Sequence, residues 1–153
     1  MMQNSNFKNL DKIDKFDGEY DFLSNFYPSP IKDGDLTYPT VEHYFQAMKT
    51  TDKYGRRLVA VASTPGKAKR IGRNLRLRRD WENVKYDVMK QAVHMKFQNV
   101  ELRKKLKATG EAYLEEGNYW HDNIWGNCTC EECQKIEGQN WLGKILMEER
   151  KQL

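Results

Sequence analysis

The sequence predicts an α+β fold, a predominantly helical single domain with a few short strands. Two observations predict this class. Apolar residues recur at helical spacing over several long stretches, whereas the segments that favour strands are short and bounded by turn signals. In addition, 153 residues are enough for one domain with its own core, and no repeat or linker divides them. We expect a polar extension at residues 1–15 and the domain at residues 16–153.

Five helices are predicted from capping residues and apolar periodicity. The longest should begin at Trp81 after the capping residue Asp80, because apolar residues then form a broad stripe as far as Phe97. The other four are expected from Thr40 to about Lys49, from Pro65 onward, from Val100 to Lys107 and from about Leu142 to Arg150.

Three extended segments are also predicted. Aromatic residues at even spacing favour an extended conformation from Phe16 to Phe26. Asp33-Gly34 is a strong two-residue turn signal, so residues 31–38 are predicted to form a hairpin. Tyr113 and Leu114 are expected to form a short strand.

The composition excludes several classes of protein. The mean hydropathy is −0.91, and no apolar run approaches the ~18 residues of a membrane span. The N-terminal stretch is polar and lacks the apolar region of a secretory signal, so we expect a cytoplasmic protein with no membrane partner. An odd number of cysteines, three, argues against a disulfide framework.

Positive charge is concentrated in residues 67–80, which we call the basic segment. It holds seven basic residues against one acidic residue, although the whole chain carries a net charge of only +4. This concentration favours a partner that bears phosphate, and the alternative is a solvated face paired with acidic residues. Nucleic-acid binding also fits the charge, but no recognised nucleic-acid-binding motif is present.

Three polar residues share one face of the first predicted helix. Glu42, Gln46 and Lys49 fall within an arc of about 60°, so a carboxylate and an ammonium can converge on one small ligand. The same spacing is common on solvated helix faces that have no function, and both interpretations are open.

A second candidate site is the aromatic loop, residues 117–126. Trp120, Asp122 and Trp125 lie in it between glycines. In a cleft the rings would form flat walls for a base or a sugar beside a carboxylate, and leaving both tryptophans exposed would waste apolar area. Alternatively, the tryptophans cover the core and Asp122 caps a turn.

Three cysteines, Cys128, Cys130 and Cys133, follow this loop. The last two have the C-x-x-C spacing of zinc and redox sites. No second pair follows, and His121 is the one histidine nearby in sequence, so four zinc ligands are hard to assemble. Free thiols in a surface insertion are therefore favoured, and no metal site is predicted.

Several stretches together resemble the NADAR, or YbiA-like, family. They follow the family's order between Phe16 and Arg150, at residues 22–26, 38–50, 80–81, 96–99, 108–110, 122–126 and 139–147. The resemblance implies an N-glycosidase fold and a hydrolase activity on ribose–nitrogen bonds. The implied bonds are those of early riboflavin-pathway intermediates or of ADP-ribose attached to guanine bases.

The resemblance also implies site residues. By position they are Glu42, Lys49, Trp81, Asp122 and Trp125. Lys49 is expected to attack the anomeric carbon and form an imine, while Asp122 or Glu42 transfers protons and the two tryptophans enclose the base or the sugar. The other expected substrate-binding residues are Asn25 and Gln46, with Arg70 and Arg73 for phosphate.

The protonation state of Lys49 decides between two mechanisms. A nearby carboxylate raises the pKa of a lysine and burial lowers it, so only a buried Lys49 would act as a nucleophile. An exposed Lys49 would be an electrostatic clamp, with Asp122 activating water. Neither route needs a metal or another cofactor, and the expected partner is a small N-ribosyl compound with phosphate or an ADP-ribosylated nucleic acid. A non-catalytic module that binds ADP-ribose or NAD is the alternative from another class.

Overall fold

The computed structural model describes residues 11–153, and its elements confirm the predicted mostly helical α+β class. Six α-helices lie in this range: α1 (Val41–Ala47), α2 (Lys53–Ala60), α3 (Pro65–Gly72), α4 (Trp81–Lys96), α5 (Val100–Ala108) and α6 (Trp141–Lys151). Six short strands lie there too: β1 (Lys12–Ile13), β2 (Ile31–Asp33), β3 (Leu36–Tyr38), β4 (Tyr113–Leu114), β5 (Gly117–Asn118) and β6 (Asn127–Cys128). None of these helices combines the length and apolar character needed to cross a membrane.

The described residues form two compact units. Residues 25–99 make up the first, which we call the α1 unit. Residues 11–24 together with 100–153 make up the second, which we call the loop unit. The predicted boundary at residue 15 stays a prediction, while Lys12 and Ile13 already pair with a strand of the loop unit.

Helix α1 is the buried element of the α1 unit. It packs against α2, α3 and α4, and all seven of its residues are buried. The antiparallel pair β2–β3 precedes it, in the register Ile31↔Tyr38. Because α1 is enclosed by three helices, its polar side chains are removed from water and need partners inside the protein.

The N-terminal end of α1 is fixed by a polar network. Thr40 Oγ1 accepts a hydrogen bond from His43 N at 3.1 Å, the usual capping bond. The His43 ring lies 2.8 Å from Thr40 Oγ1 through Nδ1 and 3.0 Å from the carbonyl oxygen of Ala62 through Nε2. Since that carbonyl can only accept, Nε2 carries the proton, and the buried histidine ties α1 to the chain after α2.

The C-terminal end of α1 is fixed by Arg78. Its backbone N donates to the carbonyl oxygen of Lys49 at 2.7 Å, and its Nη1 donates to the carbonyl oxygen of Met48 at 3.4 Å. These bonds satisfy carbonyls that a helix end leaves unpaired. The guanidinium also forms a two-pronged pair with Asp80, at 2.6 and 3.2 Å.

The loop unit contains two parallel strand pairs, β1–β4 and β5–β6. Helix α6 packs on β4, and Gly143 makes this approach possible because a Cβ there would overlap the carbonyl oxygen of Leu114. Asn140, at a φ of 51°, secures the contact by donating to the same carbonyl at 2.8 Å and accepting from Glu116 N at 3.0 Å.

The predicted start of α3 is confirmed, as are the predicted bounds of α4, α5 and α6 to within one residue and the short strand at Tyr113. Asp80 precedes α4 as expected, but its side chain makes no capping bond because it is paired with Arg78. The hairpin is also confirmed, with its turn one residue later than predicted. The register Asp33↔Leu36 places Gly34 and Asp35 in the loop, and Gly34 takes the positive φ of 62° that this turn requires.

The predicted secondary structure is wrong at residues 18–23, and it lacks α2 and the short strands β1, β5 and β6. Residues 18–23 form a 3-10 helix instead of an extended segment, because Gly18 turns the chain at a φ of 56° and backbone bonds three residues apart follow. Helix α2 is absent from the predicted elements, and a glycine, Gly55, lies within it. It forms because Asp52 caps it and Gly55 fits closely against Leu75.

Close packing of α3 on α1 depends on Gly72. A Cβ placed on this glycine would overlap Gln46 Oε1 and lie 3.0 Å from Gln46 Cβ. Replacing Gly72 with alanine should lower the free energy of unfolding by about 1–3 kcal/mol, because overpacking exceeds the helix-propensity gain of ~1 kcal/mol. Urea denaturation measures the change. Gly66→Ala is the matched control, since the same helix leaves a Cβ there 3.9 Å from its nearest neighbour. Equal stability of the two variants would contradict this packing.

Candidate active site

Glu42 and Gln46 meet on α1 as the spacing predicts. Gln46 Nε2 donates a hydrogen bond to Glu42 Oε2 at 2.6 Å. Only 7% of Glu42 and 3% of Gln46 are exposed. The interpretation of this face as a solvated helix surface is therefore wrong. Gln46 Oε1 has no hydrogen-bond partner within the described residues, so a buried acceptor is left for a further group.

Burial determines the protonation of Glu42. It raises the pKa of this carboxyl because the ionised form loses its hydration. The hydrogen bond from Gln46 and the positive charges of Lys69 and Lys49 act in the opposite direction and are weaker. Glu42 thus retains its proton more readily than an ordinary glutamate, as a general acid requires.

Lys49 lies just beyond α1 instead of inside it. The helix ends at Ala47 with Met48 as its C-cap, and Lys49 N donates to the carbonyl oxygen of Gln46 at 3.2 Å in a tightened last turn. The predicted helix end at Lys49 is thus two residues late. The Lys49 side chain is partly buried.

The environment of Lys49 favours its neutral amine. Burial is the main cause that lowers the pKa of this lysine, and the positive charges of Lys69, Arg73 and Lys85 lower it further. Glu42 opposes the shift because a carboxylate favours the ammonium, but the net direction is downward. Of the two mechanisms that the sequence left open, the direction of this pKa shift favours the nucleophilic one, although Lys49 is only partly buried.

Two members of this cationic group were missed by the sequence analysis. Lys69 acts on both Glu42 and Lys49, and Lys85 acts on Lys49 while it pairs with Glu82 at 2.7 Å. A signal for Lys69 was present: Ala68 and Gly72 are small residues four apart, and both are buried. That spacing marks the face of α3 that approaches another helix, and Lys69 lies beside it.

The basic segment divides into residues with different roles. Arg73 is exposed and its charge reaches Lys49. Arg70 is exposed as well, and no interaction between it and Lys49 or Glu42 is resolved. Arg78 forms hydrogen bonds with Asp80 and with the end of α1, so this arginine of the basic segment has a structural role.

Asn25 and Trp81 also lie in the α1 unit. The carbonyl oxygen of Asn25 accepts from Glu42 N at 3.0 Å, and its buried Nδ2 donates to the Met89 sulfur at 3.6 Å, a weak acceptor. Trp81 is 5% exposed and packs on Phe45 with ring centroids 5.0 Å apart. Asn25 is thus fixed beside the start of α1, and Trp81 supports the helix.

Asp122 and Trp125 lie together in the aromatic loop of the loop unit. Asp122 Oδ1 accepts from Ile124 N at 3.1 Å and from Trp125 N at 2.9 Å. The Trp125 ring meets Trp141 edge to face, with centroids 5.4 Å apart. Asp122 therefore caps a turn, as one sequence interpretation states, and by doing so it orients Trp125.

Trp120 does not follow the expectation for this loop. Its side chain is 61% exposed, and the neighbouring Tyr119 is 65% exposed. The loop therefore leaves apolar area in contact with water, although Trp125 is partly buried. The prediction that both tryptophans are covered is wrong for Trp120.

The three cysteines are brought together with His121. Their sulfur atoms and one nitrogen of that ring all lie within 4.8 Å of one another. The expectation that four ligands are hard to assemble is wrong, because the chain returns past His121 at β6 and again at the 3-10 helix Glu131–Cys133.

Comparison with known proteins identifies the family. The model of the NADAR domain matches residues 13–153. The chain belongs to this family.

The NADAR chain is similar to proteins with named activities. It is 44% identical over 142 residues to N-glycosidase YbiA of Shigella flexneri serotype 5b, covering 88% of this chain and 82% of that protein. It is 36% identical over 149 residues to a chloroplastic riboflavin biosynthesis protein of Zea mays, covering 86% of this chain and 23% of that protein. The NMR structure of E. coli YbiA matches with a TM-score of 0.79 and 40% identity, covering 98% of this chain and 89% of that one.

Within this NADAR chain, the structure supplies two groups of site candidates. Glu42, Gln46 and Lys49 form one group in the α1 unit, where Lys69 and Arg73 act on the lysine. Asp122 and Trp125 form the other in the loop unit. The first group contains both an acid and an amine whose pKa values are displaced by burial, which is typical of functional sites.

The opposing charges around Lys49 give a test that needs no substrate. Glu42→Gln should lower the pKa of Lys49 further, because it removes a charge that favours the ammonium, and Lys69→Gln should raise it by removing a repelling cation. The pH at which an acylating reagent modifies Lys49, read by peptide mass spectrometry, reports each change. The wild-type midpoint should lie below the ~10.4 of a free lysine.

Lys67→Gln is the matched control for Lys69→Gln, since Lys67 is an exposed residue of the same helix. It should leave the midpoint unchanged. A midpoint for Lys49 equal to that of a free lysine, or shifts of the same sign in both variants, would contradict the environment described for this amine.

Proposed function

We propose that this protein is an N-glycosidase, a hydrolase that cleaves the bond between ribose and nitrogen in a small phosphorylated substrate. The observation that carries the proposal is the burial of Glu42 and the partial burial of Lys49 in one unit, which shifts the pKa of each group toward its neutral form. The similarity to N-glycosidase YbiA over most of both chains supports it. Breaking such a bond develops positive charge on the anomeric carbon and needs a proton on the leaving nitrogen.

Substrate binding is assigned to polar groups that can form further hydrogen bonds. Gln46 Oε1 is a buried acceptor without a partner in the described chain, and Asn25 Nδ2 has a weak sulfur acceptor. Both suit ribose hydroxyls. Arg73 and Lys69 supply positive charge near Lys49 for a phosphate, and Arg70, exposed on the same helix, is proposed to add to it.

The chemistry proceeds in two steps. The Lys49 amine attacks C1 as the C1–N bond breaks, and the leaving nitrogen takes the Glu42 proton. The ring C1–O4 bond then breaks, O4 takes one proton from Nζ, and Lys49 is left as a protonated imine of the opened sugar. Water then adds to C1, its proton returns to a carboxylate, and the C1–Nζ bond breaks to release the sugar aldehyde and restore Lys49. The net reaction consumes one water and needs no redox partner.

Asp122 and Trp125 have proposed roles that rest on the family and on the loop itself. Asp122 is a second carboxylate able to receive the proton from water. Trp125, oriented by the Asp122 turn, offers a ring for the base or sugar. Trp81, buried against Phe45, is proposed to hold α1 in place beneath the reacting groups.

The substrate is proposed to be a ribosylamine intermediate of riboflavin synthesis. The similarity to a riboflavin biosynthesis protein of Zea mays favours this class over ADP-ribosylated guanine. The cytoplasmic location stays a prediction from the sequence. A non-catalytic module for ADP-ribose or NAD would have no need for a buried acid and amine in one group.

Trapping the imine tests the nucleophile. Ribose 5-phosphate, the sugar product of a phosphoribosyl substrate, should form an adduct on Lys49 that borohydride reduces to a stable amine, since the last step is reversible. Mass spectrometry of peptides locates it. Lys49→Met should lose the adduct and lower kcat by at least about 10²-fold, as expected when a nucleophile is removed.

Lys53→Met, at an exposed lysine, is the control and should keep both adduct and activity. Activity is measured as release of sugar from ribosylamine pyrimidines, ADP-ribosylguanine and NAD. A protein that binds these compounds but cleaves none of them, with no adduct on Lys49, would be the binding module instead.

The phosphate assignment predicts a selective effect on KM. Arg73→Gln should raise KM about tenfold for a phosphorylated substrate, because one charge-assisted hydrogen bond contributes about 1.5–3 kcal/mol. KM for the same compound without phosphate should not change. Arg76→Gln, an exposed arginine of the basic segment, serves as the matched control. An equal rise in KM for both compounds would show that Arg73 does not bind the phosphate.

A further inference from the structure

We propose that His121, Cys128, Cys130 and Cys133 bind one zinc ion in a structural site of the loop unit. The four side chains converge from a single stretch of chain, and each offers one ligand atom. The hydrolysis proposed above makes no use of them.

The distances match a tetrahedral ion. His121 Nδ1 lies 3.3 Å from the Cys133 sulfur, 3.4 Å from that of Cys130 and 4.0 Å from that of Cys128. Around zinc, with Zn–S of about 2.3 Å and Zn–N of about 2.0 Å, nitrogen and sulfur ligands are about 3.5 Å apart and two sulfurs about 3.8 Å apart. The observed N–S separations of 3.3 to 4.0 Å lie around the first of these values, and no two of the four atoms are more than 4.8 Å apart.

The backbone is built to hold this arrangement. Strands β5 and β6 pair Asn118 with Cys128, which brings the aromatic loop back beside the first cysteine. His121 adopts a φ of 68°, a left-handed conformation that non-glycine residues rarely take. Its backbone N donates to the Cys128 sulfur at 3.3 Å. A strained residue whose ring faces three sulfurs indicates a functional demand on its position.

Surrounding groups suit ionised cysteines. Cys130 N donates to the Cys128 sulfur at 3.4 Å, and Asn123 Nδ2 donates to the Cys133 sulfur at 3.4 Å. On the other side of the imidazole, His121 Nε2 lies 3.5 Å from Glu132 Oε1. Carboxylate contact with the free nitrogen of a ligating histidine fixes the ring and raises its basicity, which is the outer arrangement found around protein zinc.

The donor set identifies both the ion and its role. Three sulfurs and one imidazole in a tetrahedron favour zinc over magnesium or calcium, which take oxygen. Binding displaces the protons of the three thiols, so three thiolates and Zn²⁺ give the site a net charge of −1. With four protein ligands no coordination position is open to a substrate, so the ion cross-links the chain and does not act on the bond.

This cross-link would set the shape of the aromatic loop. Asn123 Oδ1 accepts from Cys128 N at 2.8 Å, and Asn123 is flanked by Asp122, whose carboxylate orients Trp125. Removing the ion should therefore loosen the loop that carries both residues, whether or not the loop takes part in hydrolysis.

Metal content is the direct test. The full chain, purified without chelator, should contain one zinc per chain by plasma mass spectrometry. Replacing zinc with Co²⁺ should give the intense visible bands of a tetrahedral thiolate complex. Cys130→Ser should reduce zinc content at least about tenfold at micromolar free Zn²⁺ and weaken those bands. Glu131→Gln, exposed and adjacent to Cys130, should retain one zinc.

A second measurement on the unmodified protein avoids variants that fail to fold. A thiol reagent should modify the three cysteines slowly. A strong chelator should remove one zinc per chain and make all three thiols reactive at the same time. The loss should be accompanied by a lower Tm that added Zn²⁺ restores. Any of four results would overturn the proposal. They are one zinc per chain in Cys130→Ser, three reactive thiols in a folded protein that contains no metal, a disulfide between two of the cysteines, and one equivalent of another ion. None of these readouts involves a ribosyl substrate, so failure of the zinc site and failure of the hydrolase are distinguishable.

Discussion

Desolvation of α1 is the constraint on which the proposed chemistry depends. Three helices remove this short element from water, and the cost of burying charge moves Glu42 and Lys49 in opposite directions, both toward their neutral forms. In water an acid and an amine of these types exchange a proton and become an ion pair. Here the carboxyl keeps more proton and the amine less, which is the state that a nucleophile and a general acid need before a sugar arrives.

The stability of α1 comes from its ends. A seven-residue helix is too short to be stable alone, and its polar residues gain little from burial. Thr40 and His43 satisfy the first turn, and Arg78 satisfies the last carbonyls from a distant part of the chain. The pKa of Asp80 is lowered by its bond to Arg78, so this clamp is strongest above the ordinary carboxyl pKa and weakens as pH falls through the lowered value.

Local signals predicted what local interactions determine. Asp33-Gly34, Thr40 and Pro65 mark a turn and two helix starts because their side chains or φ angles act within a few residues. Lys85 and Arg78 could not be assigned in the same way, since their roles depend on which part of the chain lies opposite, and a charge pattern carries no such information. The predicted extended segment from Phe16 to Phe26 failed for a related reason. The aromatic residues alternate as in a strand, but the positive φ of Gly18 turns the chain there.

The cysteine cluster extends this reasoning to spacing motifs. The C-x-x-C motif describes the spacing of ligands along the chain, whereas a tetrahedral site depends on their positions in space. His121 and Cys128 come close to the other two cysteines only because β5 and β6 pair. The loop unit thereby gains a proposed metal cross-link close to Asp122, while the shifted pKa values of the α1 unit come mainly from burial. The two devices differ in what they tolerate. A metal site keeps its geometry in contact with solvent, as exposed His121 requires, whereas a displaced pKa persists only while water is excluded.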